Sequence, residues 1–157
     1  AVIEAVLALG VPVYVVSNSR TDNVRAKLAS LDAALLERLE VRGDARKFHL
    51  VDPEARDARF EAVPEARTVE GLARPLYLRR GRYFDALRAI WDATGTRPER
   101  TLVCGDIYEL DLALAAALGA AVHLVGRPTT PAWERDAATG ARGAFSTALA
   151  GLLDRLR

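Results

Sequence analysis

Two aspartates follow an apolar segment in the second half of the chain. Gly105-Asp106 closes that segment, and Asp111 follows five residues later, where a helical pattern begins. Ligands of α/β sheets bind at the carboxyl ends of the strands, and Mg²⁺ takes carboxylate and water oxygens while leaving positions for phosphate. The spacing therefore predicts that the carboxylates of Asp106 and Asp111 converge at a Mg²⁺ site. The alternative is a plain strand-to-helix turn in which Asp111 favours the helix N-terminus.

A second polar pair, Ser17 and Asn18, comes directly after another apolar run rich in β-branched residues. A hydroxyl and neighbouring backbone N–H groups at the end of a strand suit the oxygens of a phosphate. We therefore expect Ser17 and Asn18 to bind substrate. The alternative is that a serine here only starts a helix-capping turn.

Together the two segments resemble the haloacid dehalogenase superfamily. Ser17 matches its second motif, and Gly105, Asp106 and Asp111 match its fourth, in a likeness that covers about residues 1–130. The resemblance implies a Rossmann-like parallel sheet with helices on both faces. It also implies a Mg²⁺-dependent hydrolase, a phosphatase that acts on a small phosphorylated molecule, with Asp106 as the metal ligand and Asp111 as a catalytic group that supports the site.

The third motif of that family is a basic residue before a later helix, which offsets the negative charge beside the phosphate. Arg79 and Arg80 are the candidates for this catalytic role, and Arg74 is held in reserve. The family more often uses lysine, and a guanidinium is a planar fork where an ammonium is a point charge. The alternative is that these arginines only cover the surface.

The first motif of the family, Asp-x-Asp, is missing, because no aspartate precedes residue 11. The resemblance places the nucleophile and the general acid or base there, on the central strand of the sheet. We therefore expect an upstream segment of the same protein to supply that strand, and residues 1–157 alone to fold poorly and to be inactive. The alternative is a non-catalytic domain of the same fold, used for binding or assembly. Another nucleotide-binding fold is less supported, because no Gly-x-Gly-x-x-Gly or Walker-type loop follows a strand.

The elements that would position these residues alternate between helical and strand-like patterns, which indicates the α/β class. We expect one domain, with 52–70 as a surface excursion and without a separate cap domain. Strands are predicted over residues 11–16, 47–51, 76–78, 101–104 and 121–125. Helices are predicted over residues 1–9, 22–35, 83–93 and 110–118, and Ser146 is expected to cap a closing helix.

The composition favours a small-molecule partner. Twenty-two Lys and Arg balance 21 Asp and Glu, and these charges are interspersed, so neither nucleic acid nor an anionic membrane is indicated. Cys104 is the only cysteine, which fits a reducing compartment, and we expect a cytoplasmic protein. Cys104 is interpreted as a core residue because it lies inside an apolar strand, and His49 and His123 are interpreted as structural because they lie far apart in sequence without metal-ligand spacing.

Overall fold

The computed structural model describes residues 2–140 and 142–156. The chain divides into two compact units, one over residues 2–46 with 153–156 and the other over 47–152. Both contain helices and parallel strands, so the predicted α/β class is confirmed. The finer expectation of one doubly wound sheet of the haloacid dehalogenase type stays a prediction. None of the described helices has the length and apolar content to cross a membrane.

The first unit contains a two-stranded parallel sheet. Its elements are α1 (Val2–Ala8), β1 (Val13–Val16), α2 (Thr21–Leu28), α3 (Ala33–Leu36) and β2 (Leu39–Arg42). β1 pairs with β2 in parallel, with Val13 opposite Leu39. The predictions for α1 and β1 are confirmed, whereas β2 was not predicted.

The helix predicted over 22–35 is wrong as a single element, because the chain breaks it into α2 and α3. Asp32 is the reason for the second start: its carboxylate accepts a hydrogen bond of 2.9 Å from the backbone N–H of Ala34. Aspartate competes for backbone donors in this way, which favours an N-cap over a helix interior. The apolar residues predicted to form one stripe are therefore divided between two short helices.

The second unit holds a three-stranded parallel sheet of order β5-β6-β7 and a two-stranded antiparallel sheet of β3 and β4. Its helices and strands are α4 (Ala58–Glu61), β3 (Ala66–Arg67), β4 (Leu76–Tyr77), α5 (Gly81–Thr94), β5 (Leu102–Gly105), α6 (Ala113–Ala117), β6 (Ala121–Val125), α7 (Ala132–Ala138) and β7 (Gly143–Ser146). Short 3₁₀ helices cover Pro98–Arg100 and Leu149–Arg155.

The helix α5 contributes much of the core of this unit. Its predicted apolar side is confirmed: Phe84, Leu87 and Trp91 are all buried. Gly95 ends the helix with φ +61°, a left-handed conformation that favours glycine. Phe60 and Val63 are also buried, although most of the segment 52–70 is exposed.

Two further predictions are wrong. The segment 47–51 is not a strand but an irregular stretch. Ser146 does not cap a closing helix; it is the last residue of β7, and only a 3₁₀ helix follows. Neither β7 nor α7 was predicted.

The predicted helix over 110–118 begins with an unusual turn. A π-helix over Tyr108–Leu112 leads directly into α6, and the N–H of Ala113 bonds to the carbonyl of Tyr108, five residues back. Such π-turns hold one residue more than an α-helical turn and often occur at functional sites. Glu109 and Asp111 both lie in this turn.

Candidate active site

Asp106 follows β5 directly and lies at the carboxyl end of the three-stranded sheet. Its side chain is 57% exposed, and one carboxylate oxygen lies 3.6 Å from the Nε of Arg127. The same Nε donates a hydrogen bond of 3.0 Å to the backbone carbonyl of Asp106. The aspartate is thus held at the sheet edge while its carboxylate stays accessible to a ligand.

Asp111 fixes the loop that carries Asp106. Its Oδ2 accepts hydrogen bonds from the backbone N–H groups of Asp106 and Ile107, at 3.2 and 3.0 Å, and its side chain is only 13% exposed. The loop closes tightly, because a Cβ at Gly105 would lie 2.4 Å from the Cβ of Asp111. Asp111 therefore positions the backbone on either side of the exposed carboxylate.

Lys47 completes this group, and no sequence motif indicated it. Its Nζ lies 2.8 Å from the Oδ1 of Asp111 and 5.2 Å from the centre of the Tyr83 ring. The Tyr83 hydroxyl in turn donates a 2.7 Å hydrogen bond to the Asp111 carbonyl. Burial, followed by the charge of Asp111, raises the pKa of Tyr83, so this phenol stays neutral and acts as a donor.

The three candidate arginines bind protein acceptors. Arg79 donates to the carbonyls of Glu61 and Val63 at 2.8 and 2.6 Å, where α4 ends. The guanidinium of Arg80 is buried; it donates to the carbonyl of Lys47 at 3.0 Å and to Glu109 at 3.1 Å. These contacts give Arg79 and Arg80 structural partners, and their catalytic role stays a prediction.

Arg74 joins Arg80 on a shared carboxylate. Its two terminal nitrogens bond to the two oxygens of Glu109 at 3.0 and 2.6 Å, which is the bidentate geometry of a strong ion pair. Burial by itself raises the pKa of Glu109, but the hydrogen bonds from Arg74 and the Tyr77 N–H and the two guanidinium charges outweigh it and hold that pKa below its usual range. The charged network of Arg74, Arg80 and Glu109 was not predicted.

Ser17 and Asn18 lie in the first unit, immediately after β1. The Ser17 hydroxyl accepts a 3.1 Å hydrogen bond from the backbone N–H of Ser19, whereas Asn18 is exposed. The residue that caps α2 is Arg20, which makes no side-chain capping bond, so neither serine is the N-cap. Phosphate binding by Ser17 and Asn18 stays a prediction.

The remaining candidates have structural surroundings. Burial, and then the charges of Asp111 and Asp106, raise the pKa of Cys104 to about 11, which leaves the thiol protonated and unreactive at neutral pH. His123 is buried, with Nε2 2.7 Å from the Ser146 hydroxyl. Over residues 2–140 and 142–156, no group of three or more His, Cys, Asp or Glu side chains could hold a metal ion.

Comparison with known proteins gives no relative for this chain. No protein-family model, no curated protein and no solved structure matches it.

Proposed function

We propose that this chain carries the metal-binding part of a Mg²⁺-dependent hydrolase of the haloacid dehalogenase type, which removes phosphate from a small phosphorylated molecule. The observation that carries the proposal is the exposed Asp106 carboxylate at the end of β5, with its backbone fixed by Asp111. Ligands of parallel α/β sheets bind at this edge. We assign no residue of this chain as the nucleophile.

The donor set fits Mg²⁺ bound through a single protein carboxylate. Mg²⁺ commonly keeps several waters and takes one or two carboxylates together with substrate phosphate oxygens. Asp106 offers one exposed carboxylate, whereas both oxygens of Asp111 already accept hydrogen bonds. When bound, the ion would polarise a phosphoryl oxygen and offset developing negative charge.

The protein groups around Asp106 then have distinct roles. Asp111 orients the loop through two backbone N–H groups, and Lys47 balances the charge of Asp111 from 2.8 Å. We assign to Lys47 the charge-offsetting role for which Arg79 and Arg80 were candidates, since those arginines bind carbonyls and Glu109. An ammonium is the compact point charge that suits such a position.

A non-catalytic binding or assembly domain is the second candidate, and one observation favours it. Asp111, the other carboxylate predicted for this site, accepts hydrogen bonds on both oxygens and is therefore not free to share a metal with Asp106. In that case Asp106 would serve only as the partner of Arg127.

Mg²⁺ binding separates the two candidates. We expect Mg²⁺, added with inorganic phosphate, to shift the amide resonances of Gly105, Asp106 and Ile107 in a saturable way. Asp106→Asn should abolish this response, because an amide replaces the charged ligand. Asp92→Asn, which changes an exposed carboxylate on α5, should leave it unchanged. A wild-type chain that gives the dispersed amide spectrum of a folded protein, but whose amides near Asp106 do not respond to Mg²⁺, would refute the hydrolase proposal in favour of the non-catalytic domain.

A further inference from the structure

A second cleft opens beyond the carboxyl ends of β6 and β7, and it shares Arg127 with the Asp106 site. Its volume is about 450 Å³, within the range of clefts that hold small molecules. The lining residues that matter for binding are Arg127, Thr130, Arg135, Phe145 and Thr147. None of them belongs to the predicted motifs.

Both charged residues that line the cleft are arginines. No acidic residue lines it, and the two arginines differ in their surroundings. Arg127 lies 3.6 Å from Asp106 and 3.8 Å from Glu134, so its charge is partly balanced. Arg135 is exposed, and across the described residues no carboxylate lies within ion-pair distance of it. The cleft therefore favours an anion, and guanidinium groups bind phosphate and carboxylate well.

One wall of the cleft is the ring of Phe145, and Gly126 makes room for it. A Cβ at position 126 would lie 2.6 Å from Cε2 of that ring, so any other residue would displace it. The Arg135 guanidinium lies 5.9 Å from the ring centre. The guanidinium lies over the ring as a cation–π pair, and both groups line the cleft, which suits a ligand with a ring next to a negative group.

Two hydroxyls add polar contacts to the cleft. Thr130 Oγ1 accepts a 2.7 Å hydrogen bond from the backbone N–H of Arg127, which leaves the hydroxyl proton for an acceptor on a ligand. Thr147, which carries the second hydroxyl, also lines the cleft and is exposed.

From this combination we propose that the cleft binds a small ring-bearing anion, with its phosphate or carboxylate against Arg127 and Arg135 and its ring against Phe145. The site goes beyond the hydrolase proposal, because no metal takes part in it. Phosphate and carboxylate ligands share the chemistry that the cleft recognises, and the choice between them is left to the experiment.

The test is a calorimetric titration of the chain in EDTA, so that its outcome does not depend on Mg²⁺ binding at Asp106. Phenyl phosphate and benzoate carry the same ring with different anions. Benzyl alcohol lacks the charge, and inorganic phosphate and acetate lack the ring. We expect phenyl phosphate or benzoate to bind at least tenfold more tightly than the three incomplete probes, and the tighter of the two identifies the anion.

Three variants locate the site. Arg135→Gln should weaken binding about tenfold, the factor that follows from losing one charge-assisted contact, and Phe145→Leu should weaken the ring-bearing probes more than inorganic phosphate. Arg100→Gln, an exposed arginine at the opposite end of β5, is the matched control and should change nothing. Failure of both ring-bearing anions to saturate at millimolar concentration, or equal affinity in Arg135→Gln and the wild type, would overturn the proposal.

Discussion

Replacing Glu109 by glutamine tests the charged network that holds the π-turn in place. The Glu109 carboxylate accepts hydrogen bonds from Arg74 at both oxygens and from the buried Arg80 at 3.1 Å. Glutamine keeps the shape of the side chain but removes its charge, and its NH₂ group must face an arginine donor. We therefore expect Glu109→Gln to lower the free energy of unfolding.

The size of the loss depends on Arg80. Its side chain is only 5% exposed, and removing one partner of a buried ion pair costs roughly 3–5 kcal/mol, because the other charge is left uncompensated. Arg80 keeps the carbonyl of Lys47 as an acceptor, which favours the lower end of that range. The exposed Arg74 adds less than about 1 kcal/mol. We expect a loss of about 3 kcal/mol, a large share of the stability of an ordinary domain.

Urea denaturation followed by circular dichroism at pH 7 measures this loss, with an unchanged m-value as the sign that the unfolded surface is the same. The control is Glu65→Gln, which alters an 83% exposed carboxylate 3.6 Å from Arg79 and should cost less than about 0.5 kcal/mol. If Glu109→Gln costs less than about 1 kcal/mol, the network does not stabilise the fold as argued.

The pH dependence gives a second check on Glu109. Because the folded state lowers the pKa of Glu109 below its ordinary value of 4.5, the stability that it contributes is fully present above that value. It is lost as the pH falls through the lowered pKa. The stabilities of wild type and Glu109→Gln should therefore converge in acid, and a gap that widens as the pH falls would contradict this reasoning.

Two predictions concern β5, the strand that precedes the π-turn. Gly105→Ala should cost about 1–3 kcal/mol of unfolding free energy in the same urea assay, since its Cβ would lie 2.4 Å from that of Asp111. Gly140→Ala, where the nearest atom is 3.8 Å away, should cost much less, and equal losses would contradict the tight loop. Because the pKa of Cys104 is raised to about 11, its alkylation by iodoacetamide at pH 8 should be at least about 100-fold slower than in urea, where an ordinary thiol has a pKa of about 8.5. Equal rates would show that the folded thiol is not protected.

The elements that the sequence predicted best are those whose local pattern agrees with their final environment. The apolar stripe of α5 is buried along its length, and the apolar run Ala121–Val125 forms β6 as expected. The segment 47–51 has a similar apolar pattern, yet Phe48, Leu50 and Val51 are exposed. Strand formation depends on a neighbour with which to pair, and that neighbour is not encoded in the run itself.

Only part of the candidate site could be predicted from the sequence. Asp106 and Asp111 are close in sequence, so their common position at the end of β5 could be predicted from spacing. Lys47 is separated from Asp111 by 64 positions, and only the folded chain brings them together. Arg80 was selected for its place before a helix, but its partner Glu109 lies 29 positions away. Contacts of this kind follow from tertiary packing, and no local motif carries them.

The π-turn at Tyr108–Leu112 makes this part of the chain sensitive to its length. Each residue of an α-helix advances the side chains by about 100° around the axis. Deleting one residue from the turn would restore a regular helix, and it would rotate the loop that carries Asp106 relative to α6. The helix would remain continuous and its apolar residues could stay buried. Asp111, however, would turn away from Lys47 and from the N–H groups of Asp106 and Ile107. A deletion of one residue in the turn should therefore break the contacts of Asp111 even where the helix itself is retained.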